Sequence, residues 1–199
     1  MKIIRTEGKF PMTIEEIMEK LKNSLPAKRY VHSLNVMETA CALAKRYNQD
    51  LEKAALAGLL HDCARRYQSH ELPGLCQKYG IAVDNISCLH PLLLHGPVGS
   101  FVAREEYQVT DEEVLSAIYC HTTGKENMSR LEKIVFIADF IEPGRDFDEV
   151  EGVRDIAFED LDKALLKALD CVIFYVIKKG HLIHQDSIKA RNYLLMKST

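Results

Sequence analysis

Ser129–Ile141 reads SRLEKIVFIADFI, and whether its apolar half is a strand or a helix decides the fold class. An apolar, β-branched run closed by an acid, like Ile134–Asp139, occurs as a buried parallel strand in α/β enzymes. Ser129 and Glu132, however, stand directly upstream at the spacing of a capping box, which opens a helix. A parallel sheet would also need strands alternating with helices, and no such alternation exists elsewhere in the chain. The segment is therefore expected to be helical, and the protein an all-α, single-domain helical bundle with a buried polar site.

The flanking sequence reads the same way. Thr13 and Glu16 form another capping box, opening a helix that runs to Ser24 and Pro26. A second helix spans Ala27 to Tyr47, with Val31, Leu34, Val36, Met37, Ala40, Leu43 and Ala44 on its inner side. The third, Leu51 to Ala64, is Ala-rich and apolar nearly all round, as suits a central helix approached closely by its neighbours. Residues 69–79 read as a shorter surface helix stopped by Gly80. Pro91–Tyr107, Asp111–Cys120 and Phe158–Lys179 give three more, and a short helix follows Asp186. Residues 1–12 read as an N-terminal extension. Residues 13–199 form one domain with its core at about 27–145, completed by the C-terminal helices.

Composition narrows the function classes. A chain of 199 residues can bury about two-thirds of its unfolded surface, so disulfides and structural metal are not needed for a core. The net charge of −3 lacks the electrostatic footprint of a general nucleic-acid binder, although local basic groups can still hold a small polyphosphate. The longest apolar runs, Ala54–Leu60, Ile134–Ile141 and Cys171–Ile177, are too short to cross a bilayer. Residues 1–12 carry no long apolar stretch or small-residue cleavage site, so no signal peptide is expected. The six cysteines lack the paired spacing of a zinc knuckle; reduced thiols in the cytoplasm are expected, with Cys63 and Cys120 as packing residues.

The chemistry sits in the apolar helices. Asp139 lies within one, where an unpaired ionised carboxylate would cost several kcal/mol. It needs a cation, a donor network or a proton. His61–Asp62 poses the same problem at the end of AALAGLLHD (Ala54–Asp62). Neighbouring helical residues diverge by about 100°, so both reach one cavity only where the helix end projects into it. His32 lies on the preceding helix, which antiparallel packing would bring near His61. Two imidazoles and two carboxylates suit a first-row divalent ion such as iron, manganese or zinc, and open coordination positions would make the site catalytic.

The order H…HD…D resembles the HD-domain superfamily of metal-dependent phosphohydrolases, with His32, His61–Asp62 and Asp139 in its four positions. The chain resembles the bacterial YqeK family more closely. The supporting stretches are RYVHSLNV (29–36), GLLHDCAR (58–65), LLHGPVGS (93–100), AIYCHTTG (117–124), LEKIVFIADFIEPGR (131–145) and HLIHQDS (181–187). The resemblance implies symmetrical hydrolysis of diadenosine tetraphosphate to two ADP, with iron at His32, His61, Asp62 and Asp139. It also implies nucleotide contacts from Arg29, Arg65, Arg66, Tyr67, Gln68, His95, His121, Thr122 and Arg145, and from Leu182, Ile183, His184, Gln185, Asp186 and Ser187. His32, Asp62 and Asp139 would touch the nucleotide as well. Arg65 stands where many relatives carry Lys; it keeps the charge and can bind two oxygens at once.

The added positions also have a physical reading. His95 precedes Gly96-Pro97 near a helix start, where free N–H groups favour a phosphate. His121 precedes the loop-like Thr122-Thr123-Gly124. Each could contact the scissile phosphate, protonate a leaving oxygen, or join Asp62 in holding a second ion; the sequence leaves these open. Arg145 follows the turn Glu142-Pro143-Gly144 and can swing back over the site. His184 is expected to flank base or ribose, while His70, His90 and His181 read as surface or capping residues. Oligomerisation, if any, is expected as a homodimer through an apolar helix face.

Overall fold

Ser129 opens a helix. Its hydroxyl accepts from the Glu132 amide while the Glu132 carboxylate accepts from the Ser129 amide, and the helix runs through the whole of Arg130–Ile141. The structure, a computed structural model, describes residues 10–197 and contains no strand among them. Its helices are α1 (Ile14–Ser24), α2 (Ala27–Arg46), α3 (Leu51–Leu60), α4 (Leu72–Tyr79), α5 (Asn85–Leu89), α6 (His95–Tyr107), α7 (Glu112–Cys120), α8 (Arg130–Ile141), α9 (Val150–Ala157), α10 (Leu161–Lys178) and α11 (Gln185–Lys197). Short 3-10 turns cover Cys63–Arg66 and Pro91–Leu94. Thr13 makes its capping box as expected, and Asp50, Asp84, Asp111 and Asp160 each cap a helix. Such a cap contributes about 1 kcal/mol.

Several boundaries differ from expectation. α3 stops at Leu60 rather than Ala64, because the chain tightens into the 3-10 turn that carries Arg65 and Arg66. Phe158 does not begin α10 but ends α9, a helix the sequence reading does not place; Asp160 then restarts the chain as an N-cap. α5 was also not foreseen, its five residues being too few for any periodicity. The last helix is not short but 13 residues long, and starts at Gln185. Val31, placed on the inner side of α2, is 55% exposed. Residues 1–9 of the N-terminal extension lie outside the described residues, while Phe10 and Met12 pack on the core.

α3 is the hub. It packs on α2, α7 and α8, while α6 lies against α7 and the 3-10 turn that follows α3. Small residues allow the close α2–α3 approach: Ala40, Ala44, Ala54, Ala55 and Ala57 are all fully buried. Leu43, Leu56, Leu59, Leu60, Ile118 and Ile134 fill the space between these helices. Truncating one such leucine to alanine costs about 2–5 kcal/mol. α10 covers α8 and α9 and carries α11. The six cysteines are all free thiols. No helix among the described residues is long and apolar enough to cross a membrane.

Candidate metal centre

The early stop of α3 solves the problem posed by adjacent His61 and Asp62. His61 keeps helical backbone angles, Asp62 leaves them (φ −101°, ψ 15°), and both side chains turn into one buried space. His32 comes from α2 and Asp139 from α8, the two helices flanking α3. Nε2 of His32 lies 3.2 Å from Nε2 of His61 and 2.9 Å from Oδ1 of Asp139. Oδ2 of Asp62 is 3.9 Å from the first nitrogen and 3.8 Å from the second. The four expected ligands therefore converge.

A second histidine pair adjoins them. Gly96 lets the start of α6 touch the end of α7: a Cβ there would sit 2.6 Å from the Tyr119 carbonyl. That contact sets Nε2 of His95 3.1 Å from Nε2 of His121. Oδ1 of Asp62 stands 3.3 Å from His95 and 3.8 Å from His121. Asp62 thus turns one oxygen to each histidine pair. Thr122 Oγ1 lies 3.2 Å from both His95 and His121.

The far ring nitrogens fix what these imidazoles offer. Nδ1–H of His61 donates to the Gly58 carbonyl, that of His121 to Ile118 and that of His95 to Leu92. A carbonyl only accepts, so the ring proton is on Nδ1 and the Nε2 lone pair faces inward. In His32 a carboxylate stands at each end of the ring, Glu142 at 3.1 Å from Nδ1 and Asp139 at 2.9 Å from Nε2. Four Nε2 atoms and two carboxylates thus face one another in a largely buried space, an arrangement that a bound cation would stabilise. The donor set fits divalent metal, and His32–His61–Asp139 and His61–Asp62–His121 each bring three ligand atoms within 4.8 Å of one another.

Charge states differ across the cluster: burial lowers His95, while at His121 burial is outweighed by the Asp62 carboxylate and the net shift is upward. Burial pushes His61 down to about 4, so it is neutral at ordinary pH. Burial would raise both aspartates, but the surrounding imidazoles, helped at Asp139 by Arg145, hold each below the usual carboxylate range. Burial lowers His32, yet the Asp139 and Glu142 carboxylates outweigh it and the net shift is upward.

Arginines rim the cluster. Arg29 reaches Asp62 Oδ2 at 3.0 Å, and Arg145 folds back onto Asp139. Arg65 is half-buried, feels the charges of Asp62, Asp139, Arg29 and Arg145, and makes no ion pair among the described residues. Arg66 and Tyr67, expected at the nucleotide, point elsewhere: Arg66 pairs with Glu106 on α6 and bonds the Tyr67 hydroxyl. Gln68 is exposed and gives its amide to Glu71. Leu182–Ser187 does not meet the metal cluster. His184, Gln185 and Asp186 instead line a cavity of about 530 Å³ with Asp84, Tyr119, Thr123 and Lys189. Leu93, Leu94 and Pro97, which bracket His95, also line it. Leu182 is 48% exposed, and Ser187 is buried, donating to the Thr123 carbonyl. His90 and His181 lie ring to ring at 5.3 Å. Glu142 and Asn35 were missed; only the turn after α8 hinted at them.

Comparison with known proteins gives the same answer. The HD domain family matches residues 29–144. A symmetrical bis(5'-nucleosyl)-tetraphosphatase of Halalkalibacterium halodurans is 42% identical over 90% of this chain and 96% of its own. Proteins of the same name from Staphylococcus aureus and Bacillus subtilis are 39% and 34% identical, over 92% and 94% of this chain and 94% and 100% of theirs. A solved structure from Clostridium acetobutylicum, described as a predicted HD superfamily hydrolase involved in NAD metabolism, is 46% identical. It superposes with a TM-score of 0.91, covering 94% of this chain and 98% of that one. The chain belongs to the HD domain family, and within it to the symmetrical bis(5'-nucleosyl)-tetraphosphatases.

Proposed function

We propose that the protein is a metal-dependent phosphoanhydride hydrolase that splits diadenosine tetraphosphate with one water into two ADP. The carrying observation is the convergence of the Nε2 atoms of four histidines on the two oxygens of Asp62. A divalent cation would satisfy these nitrogen and oxygen donors together. The relatives' shared name supplies the substrate.

His32, His61, Asp139 and Oδ2 of Asp62 would hold one ion; His95, His121 and Oδ1 of Asp62 would hold a second. Nitrogen and oxygen donors suit iron, manganese or zinc, and iron is the proposed native ion. Such an ion acidifies a bound water and polarises a phosphoryl oxygen. The protein's own groups do the rest. Arg29, Arg65 and Arg145 place positive charge where the transferring phosphoryl group develops negative charge. With Nδ1 of each donating to a backbone carbonyl, His95 and His121 can present Nε2 to an ion, and we assign them as ligands. No acid is needed at the leaving group, since ADP departs as a phosphate whose conjugate acid has a pKa of about 6.

Symmetrical cleavage also requires register: the central bridge must sit at the ions. The 530 Å³ cavity, within the range of about 300–1,000 Å³ that small ligands occupy, adjoins the His95–Thr122 side of the cluster and would take one nucleoside. Arg66, Tyr67 and Gln68 would have to exchange their present partners, Glu106 and Glu71, to reach the nucleotide. The same reading places the protein in the cytoplasm. A homodimer would cover the apolar end of α10, where Phe174, Tyr175 and Ile177 are exposed.

The test is incubation with ferrous or manganous ion and diadenosine tetraphosphate, followed by chromatography. ADP as sole product is expected. AMP with ATP, or preference for NAD in a parallel incubation, would overturn the reading.

A further inference from the structure

Glu142 is a buried acid with no place among the expected ligands. It follows the last turn of α8 as its C-cap, with its side chain 4% exposed. One oxygen, Oε1, faces Nδ1 of His32 at 3.1 Å. The other accepts from Asn35 Nδ2 at 2.8 Å and from the Gly144 amide at 2.6 Å. His32 and Asn35, three residues apart, share a face of α2, so the carboxylate bridges the end of α8 to the helix carrying a ligand. Gly144 makes room, since a Cβ there would lie 2.9 Å from Oε1. Arg154 of α9 locks the turn from outside, donating to the carbonyls of Ile141, Glu142 and Arg145 at 2.8–2.9 Å.

We propose that Glu142 is a positioning residue for the metal centre: by taking the Nδ1 proton of His32 in a hydrogen bond, it holds that imidazole in the only tautomer that can ligate. His32 has a carboxylate at each end of its ring. Asp139, 2.9 Å from Nε2, favours the proton on the metal side, and Glu142 favours it on the other. In the absence of Glu142, the neutral ring would settle as the Nε2–H form bonded to Asp139, and the ligand position would be blocked. A carboxylate behind a ligating histidine also raises its basicity, and its removal typically weakens metal binding by about 10–100-fold.

Glu142→Gln tests this without changing size. Two donors, Asn35 and Gly144, face the Oε2 position, so the amide oxygen goes there and the NH2 group meets His32 Nδ1. That nitrogen must then accept, which moves its proton to Nε2. The inference rests on the metal reading above, so wild-type and variant proteins are stripped of metal and titrated with Mn2+ and Co2+. Melting temperature and the visible spectrum of the cobalt form are recorded. Expected are a metal-free melting temperature close to wild type, affinity lower by about 10–100-fold, and an altered cobalt spectrum. Asn35→Ala, which leaves the Glu142–His32 bond in place, should keep affinity near wild type. Equal affinity in Glu142→Gln and wild type overturns the proposal, and so does an equal loss in Asn35→Ala, which would mark a merely structural turn. A wild-type protein that binds no divalent ion would sink the metal reading instead.

Discussion

Arg145 and His32 share one oxygen of Asp139: Oδ1 accepts from the guanidinium and lies 2.9 Å from the imidazole Nε2. Arg145 is held there by a further bond from its Nε to the Asp139 carbonyl at 2.8 Å. The guanidinium is thus a like-charged neighbour of any ion ligated by Asp139, poised to turn toward phosphate. Arg145→Ala should leave Mn2+ affinity at wild-type strength or above, while kcat/KM for diadenosine tetraphosphate falls by about 10²–10³-fold, as for loss of one transition-state donor. Isothermal titration beside steady-state kinetics reads both. Loss of metal from the variant would make Arg145 a support for the ligands instead.

Metal affinity should climb with pH through His32. Ligation needs a neutral ring. Buried His61 sits at about 4 and offers no competition from protons. His32, lowered by burial but raised more by Asp139 and Glu142, titrates above its ordinary 6.5. Below that raised value an entering ion must expel a proton, so affinity drops about tenfold per pH unit on the acid side and levels off above. For the metal-free fold the sign is opposite: a raised histidine contributes stability present below 6.5 and lost as pH rises through its folded value. Mn2+ titrations across the neutral range would contradict this if their midpoint fell below 6.5.

What the sequence disclosed follows from where its constraints were local. Capping boxes at Thr13 and Ser129 are four-residue patterns, and both stand. His32, His61, Asp62 and Asp139 were legible because polar groups in apolar helices demand partners. Glu142 obeys the same logic, but it lies beyond the apolar run and its partners sit 110 and 107 residues away in sequence. Arg66 shows the reverse case: resemblance implies a nucleotide contact, whereas here it pairs with Glu106, forty residues on, a partner that no local pattern announces. α10 starts later than its apolar pattern implies because Phe158 belongs to the end of α9, an eight-residue helix too short to announce itself by periodicity.

Metal should stabilise the fold measurably. The histidines and aspartates converge only in the folded chain, so the ion binds the folded state selectively. At a hundredfold excess over Kd one site adds about 2.7 kcal/mol, and a chain of this size gains about 2–4 °C per kcal/mol. Mn2+ should therefore raise the melting temperature by roughly 5–11 °C, and chelator should reverse it. Asp62→Ala, which removes the shared carboxylate, should abolish the shift; an equal shift in that variant would place the ion elsewhere.

The cavity beside the cluster depends on a clasp. His184 Nδ1 accepts from the Asp186 amide at 3.2 Å, so its proton is on Nε2 and points to Asp84 Oδ2 at 3.1 Å. The other oxygen of Asp84 caps α5 through the Ile86 and Ser87 amides. Asp84→Asn keeps that cap, since Asn caps as well as Asp, but turns a donor toward the His184 donor. KM should rise several-fold with kcat near wild type, the mark of binding lost equally from ground and transition states. A fall in kcat with unchanged KM would remove the cavity from substrate binding.

Gly96 carries the second histidine pair, and a single methyl group tests it. A Cβ at this position would meet the Tyr119 carbonyl at 2.6 Å, a backbone atom that cannot swing aside, and Thr122 Oγ1 at 3.2 Å. Gly96→Ala must therefore push α6 from α7, at a cost of about 1–3 kcal/mol, and carry His95 away from His121. Gly74, on the exposed side of α4 with nothing within 4 Å, is the control. There alanine relieves the helix of glycine and should stabilise it by up to about 1 kcal/mol. Metal analysis of Gly96→Ala should find the ion at His32–His61 retained and the ion at His95–His121 lost, with activity falling accordingly. Wild-type stoichiometry and activity in that variant would mean that the close approach of α6 and α7 serves packing, and that the second pair of imidazoles takes no part in catalysis.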